Sequence, residues 1–113
     1  SIGSLGARGE SDIVEDVHVK NCTLTETLTG VRIKTKQTKA IKISDVTYRG
    51  ISGTSLTDKA INLNCDQNVG CSNLVFDRVY VRSAVPKMKV FSFCHNAHGR
   101  ASHTKPILNC LLK

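Results

Sequence analysis

Tryptophan is absent from this 113-residue sequence, and two tyrosines and three phenylalanines bring the aromatics to only 4%. Any core must therefore be built from Val, Ile and Leu, a composition that favours strands over helices. Acid is scarce too: nine Asp and Glu stand against sixteen Lys and Arg, and none of the nine sits in a constellation that announces a paired acid and base. No apolar run approaches the ~20 residues needed to cross a bilayer, and no charged-then-apolar segment opens the chain as an export signal would. The sequence begins on Ser1 and Ile2 rather than on methionine. We therefore expect its gene, and any export signal, to start upstream. No CxxC pair occurs among Cys22, Cys65, Cys71, Cys94 and Cys110, which argues against zinc.

At this length the chain fits one domain, and one small enough to be marginally stable by itself. The loop from Cys65 to Cys71 and the tail loop from Cys94 to Cys110 look like stapled turns of an oxidising compartment. Cys22, among alternating apolar neighbours, reads as a free buried thiol. The net charge of +7 draws polyanions: nucleic acid, an anionic membrane surface or an acidic polysaccharide. A solvated basic surface accounts for the same number. A reader of single-stranded nucleic acid needs stacking rings beside its cations, whereas the five rings here are expected mostly at inward positions.

The strongest signal is a repeat. One apolar template, with offsets 0, 3, 5 and 8, fits Val14, Val17, Val19 and Cys22, then Ile43, Val46, Tyr48 and Ile51, then Cys71, Leu74, Phe76 and Val79. Each segment is followed by a second, shorter alternating strand: Val31 with Ile33, Ile61 with Leu63, and Val90 with Phe91 and Phe93. Turn-prone stretches, Thr27 to Gly30, Gly50 to Thr54 and Ala84 to Lys87, are expected between them. Two strand types recurring in phase at about 29 residues, without an amphipathic helix, predict an all-β parallel β-helix. An antiparallel sandwich is the alternative, but it gives no reason for the phase. Asp16 and Asp45 fall at one matched place in the repeat and read as turn formers rather than catalysts.

Several stretches resemble, in order, motifs of the plant polygalacturonases of glycoside hydrolase family 28. They are Ser1-Ile-Gly-Ser-Leu-Gly6, Val19-Lys-Asn-Cys-Thr23, Gly30-Val-Arg-Ile-Lys-Thr35, Lys42-Ile-Ser-Asp-Val-Thr-Tyr48, Gly53-Thr-Ser55 and Ala60-Ile-Asn-Leu-Asn-Cys65. The resemblance implies a right-handed parallel β-helix, of which residues 1–113 would be one partial domain of about three coils and a tail. It implies hydrolysis of the α-1,4-galacturonan of pectin in cell-wall remodelling, by a secreted monomer of the plant cell wall, with no cofactor or metal and no nucleic-acid or membrane partner. Inversion, the family's stereochemistry, needs an acid and a base about 6.5–9.5 Å apart. In the family these are aspartates of Asn-Thr-Asp and Asp-Asp motifs, supported by a histidine of a Gly-His-Gly motif.

None of those three motifs occurs in these residues, and in the family all precede the Ser-Ile-Gly-Ser-Leu-Gly segment. No catalytic residue is therefore assigned, and the chain is expected to be inactive alone. The alternative is an inactive pectin-binding or vestigial product. What the resemblance carries over is the Arg-Ile-Lys motif: Arg32 and Lys34 would grip a galacturonate carboxylate, although by spacing alone they could be solvated charges on an exposed strand. Alternation puts both heads on one face. The resemblance also pairs Cys65 with Cys71 and Cys94 with Cys110. After Thr35 the family continues through a further coil, an Asn-Pro-Ile-Ile-Ile-Asp type strand and a Tyr-Cys turn, where here Lys36 to Lys39 leads straight on. An internal loss of at least one coil is expected there. His95, His98 and His103 are too irregularly spaced to suggest a metal site and read as solvated groups of a polar loop. Asn21-Cys22-Thr23 meets the glycosylation sequon.

Overall fold

The computed structural model describes residues 2–5, 13–35 and 42–113. Among the described residues eight strands follow one another: β1 (Ile2–Leu5), β2 (Ile13–Thr27), β3 (Val31–Thr35), β4 (Lys42–Ser55), β5 (Lys59–Asn64), β6 (Cys71–Ser83), β7 (Phe91–His95) and β8 (Ala97–Lys105). Short and long strands alternate along the chain and segregate in space, the short ones stacking as β1-β3-β5-β7 and the long ones as β2-β4-β6-β8. Every neighbouring pair is parallel. A chain that returns to the same two sheets in the same order is a solenoid, here of about three turns. This is the parallel β-helix that the repeat predicts.

The registers follow the apolar template. Val17 lies beside Val46, Val19 beside Tyr48 and Cys22 beside Ile51, and the next coil continues with Leu74, Phe76 and Val79 at the same places. Ile43, Val46, Ile51, Leu74, Phe76 and Val79 are all at most 1% exposed. Burying side chains of this size contributes about 1.5–3 kcal/mol each, and like residues stack on like. Tyr48 and Phe76 show it best, their rings nearly parallel with centroids 5.3 Å apart.

The long strands bend where the backbone turns left-handed. Asp16, Asp45 and Asn73 share one bend, with φ of 57°, 57° and 51°, a conformation that Asp and Asn tolerate better than other side chains. Asn73 Nδ2 donates to Asp45 Oδ1 at 2.7 Å, tying one coil to the next. Five residues on, Asn21, Gly50, Arg78 and His103 make a second bend. A turn is fastened at Asp66, whose Oδ1 accepts from the backbone N–H groups of Asn68 and Val69. The Cys65–Cys71 disulfide closes the same turn.

Five expectations need correction. Gly50 to Thr54 is no turn but lies inside β4, and the chain turns at residues 56–58 instead. In the third short strand the inward positions belong to Ser92 and Cys94, paired with Ile61 and Leu63, while Phe93 pairs with the outward Asn62. With Phe91 and Tyr80 both more than 40% exposed, most of the rings do not face inward. The tail is not a loop: residues 97–105 form β8 and pair with β6. Its positions opposite Leu74 and Phe76 hold Gly99 and Ala101, too small to signal a core strand. Cys22 is free, yet only half-buried, because β2 is the edge strand of its sheet and is covered on one side only.

Candidate functional site

β3 alternates strictly. Val31, Ile33 and Thr35 are buried, and Arg32 and Lys34 between them reach the outer face. At ~3.3 Å rise per residue the two cations start about 6.6 Å apart on the strand. β5 alternates in the same phase, so Asn62 stands beside Arg32 and Asn64 beside Lys34. On β7, Phe93 and His95 continue the two rows. The outer face of this sheet therefore presents two cations, two amides, a ring and an imidazole in three adjacent strands.

Neither Arg32 nor Lys34 forms an ion pair among the described residues. Arg32 also lines a depression of about 380 Å³ with Asn62, Lys59, Thr57 and Asp58, the last being the one acidic group of the lining among the described residues. Lys59 reaches over the Phe93 ring, its Nζ 4.6 Å from the centroid, which holds a third cation at the edge of the face. Such a surface can grip carboxylates: the guanidinium forks onto two oxygens, and the ammonium serves as a compact second charge. Amides beside them suit hydroxyl groups. A single carboxylate in the lining cannot supply the separated acid and base that inversion requires.

The resemblance of the Arg-Ile-Lys motif brought Arg32 and Lys34 to light, but not Lys59, Asn62, Asn64 and Phe93. The register was the missing information, since Phe91-Ser92-Phe93-Cys94 alternates equally well in either phase. Cys94 decides it, because its bond to Cys110 of the tail belongs with the inward side. Elsewhere, His98 Nε2 lies 3.2 Å from Asn96 Oδ1, and His103 lies beside Ser102 and 3.9 Å from Asp77. The junction at Lys36 to Lys39 lies outside the described residues, as do Ser1 and Gly6 at the two ends of Ser1-Ile-Gly-Ser-Leu-Gly6, whose middle four residues form β1.

The family model described as Glycosyl hydrolases family 28 matches residues 1–40 and 35–104. The match breaks where the sequence points to an internal loss. An exopolygalacturonase of Zea mays is 28% identical over 151 residues, covering 97% of this chain and 37% of the maize protein. A polygalacturonase of Juniperus ashei is 28% identical over 95% of this chain and 28% of its own length. One of Malus domestica is 29% identical over 74% of this chain and 27% of its own. The chain thus spans about a third of the length of the curated relatives it matches. The maize alignment of 151 residues is longer than the whole 113-residue chain, so the relative carries residues with no counterpart here. No solved structure matches significantly. With a two-strand repeat wound into a parallel β-helix and a family model matched on both sides of Thr35, the chain belongs to the glycosyl hydrolases of family 28.

Proposed function

We propose that these 113 residues are the later coils and tail of a polygalacturonase, one partial β-helix unit that binds the α-1,4-galacturonan of pectin. The observation that carries this reading is the pair Arg32 and Lys34, standing together on one outer face without an acidic partner among the described residues, in a family whose matched relatives are named polygalacturonases. Their role is to cradle a galacturonate carboxylate while Asn62 and Asn64 meet sugar hydroxyls. Proton transfer depends on groups that this sequence does not contain, since it has no Asn-Thr-Asp, Asp-Asp or Gly-His-Gly motif. The two disulfides fit an oxidising compartment, and so fit secretion of a monomer into the plant cell wall.

The missing motifs favour a second reading, in which the chain binds pectin without cleaving it. An antibody to this segment separates the two by the mass of the native protein in plant extract. A band several times 12.3 kDa supports a working hydrolase, and a band near that mass supports the non-catalytic product. Binding is tested by titrating polygalacturonate into the full chain and into an Arg32→Ala, Lys34→Ala variant. Charged hydrogen bonds contribute about 1.5–3 kcal/mol each, so the variant should bind at least tenfold more weakly. Unchanged affinity sinks the assignment of this pair.

A further inference from the structure

A second basic surface lies on the other sheet. Tyr80 of β6 is 42% exposed between Val79 and Val81, which are 0% and 2% exposed. Val81 is packed so closely on Gly30 that a Cβ there would lie 2.7 Å from its methyl carbon. The strand is therefore pinned from inside, and alternation fixes the Tyr80 ring outward. Its neighbours across the sheet are Ser52 on β4 and Lys105 on β8, each about 4.8 Å away at the backbone. Arg82, two residues further along β6, projects on the same side. These residues line an open groove of about 660 Å³ together with Gly53 and Val81.

Among the described residues the lining holds two cations and no carboxylate. Nearby, by contrast, the single carboxylate of Asp77 lies 3.4 and 3.5 Å from Arg49 and Arg78 and offsets part of their charge. Neither Arg82 nor Lys105 has an ion pair among the described residues. An exposed ring flanked by two uncompensated cations and a hydroxyl matches a ligand with an apolar face, a negative group beside it and hydroxyls at its edge. A carboxylated sugar has all three: its C–H face lies on the ring, its carboxylate meets Arg82 or Lys105, and its hydroxyls meet Ser52.

We infer that the Tyr80 groove is a second binding site for a chain of uronic-acid units, separate from Arg32 and Lys34. The identity of the polymer rests on the reading proposed above, while the groove itself does not. Two footholds on different faces of one solenoid would hold a polymeric wall longer than either one alone.

The chain supplies its own probe. It has no tryptophan and two tyrosines, of which Tyr48 is buried. In a Tyr48→Phe background the emission at tyrosine wavelengths reports Tyr80 alone. Titration with a short, unesterified oligogalacturonate should change that emission saturably and in a salt-sensitive way. The response should be about tenfold weaker in Arg82→Gln, Lys105→Gln and unaltered in Arg32→Ala, Lys34→Ala. Circular dichroism checks that each variant keeps its fold, which substitutions of exposed side chains should allow. No Tyr80 response, an undiminished response in the Arg82 and Lys105 variant, or an equal response to neutral galacto-oligosaccharide or to single-stranded oligonucleotide overturns the groove. Calorimetry on the same samples separates the two sites. Heat lost with Arg32 and Lys34 but no Tyr80 response overturns only the groove. A Tyr80 response with unchanged heat in the Arg32 and Lys34 variant upholds the groove and overturns the earlier assignment.

Discussion

Replacing Tyr48 by Phe should make the protein more stable. The Tyr48 ring is 5% exposed and stacked on Phe76, and both contacts survive the change. Its hydroxyl is buried and has no hydrogen-bond partner among the described residues, so it carries a desolvation cost of about 1–3 kcal/mol that the variant sheds. The same burial pushes the phenol up to about 12 from 10.0. The sign of the consequence follows from proton counts: between these two values the unfolded chain has released the proton and the folded chain still holds it. Stability from this group is therefore complete below pH 10 and is lost as pH rises toward 12, by up to about 1.4 kcal/mol per pH unit. Urea titrations of both proteins at pH 7, 10 and 11.5 measure both effects. The variant should have the higher midpoint at pH 7, and the gap should widen with pH. A loss of 1 kcal/mol or more at pH 7, with parallel curves above pH 10, refutes the reasoning and means that the hydroxyl is satisfied.

Further expectations concern the scaffold. Cys110→Ser opens a loop of 16 residues and should cost about 3 kcal/mol, against about 2 kcal/mol for Cys71→Ser, which opens a loop of 6, by loop-closure entropy; denaturant midpoints under non-reducing conditions compare them. Gly53→Ala places a Cβ 2.1 Å from the carbonyl oxygen of Leu24, a backbone atom that moves only if β2 moves. Its cost should therefore lie at or above the ~1–3 kcal/mol typical of overpacking, read as a lowered melting temperature. Asp45→Ala removes the acceptor of Asn73 and leaves Ala at φ 57°, whereas Asp45→Gly loses only the bond, so the glycine variant should be the more stable by about 1 kcal/mol.

What the sequence could tell depended on side-chain size. The long strands were legible because Ile43, Val46, Tyr48 and Ile51 and their counterparts in the next coil are large and apolar, so the template fits without knowledge of the fold. β8 was not legible, since Ala97, Gly99 and Ala101 occupy the same inward columns with almost no apolar volume. The bends were half legible. Asp16 and Asp45 are residues that favour turns, but Arg78 and His103 adopt the same left-handed backbone only because the coils on either side impose it. Arg32 and Lys34 could be read as a pair from alternation, while their neighbours depend on register, which a single strand does not encode.

Register also decides what an internal loss does to binding. β2 pairs with β4, with one register shift between Leu24 and Thr27, and β3 pairs with β5 in continuous register, so the coils stack where the sequence departs from the family's order. A solenoid tolerates this because each coil need only match its neighbours. The outer face has no such tolerance, because a polymer lying across it contacts several coils in a fixed order. In this chain the row that follows Arg32 is Asn62 and then Phe93, set by whichever coil comes next. The fold can therefore survive a loss that rewrites the outer face, and on the proposed function affinity for pectin should depend on Asn62 and Phe93 as much as on the cations that resemble the family's own. Phe93→Ala tests this. It should weaken polygalacturonate binding while leaving the melting temperature within a few degrees of the wild type, since the ring is outward and it is Cys94 beside it that packs against the core. If binding is unchanged, the face is read by Arg32 and Lys34 alone.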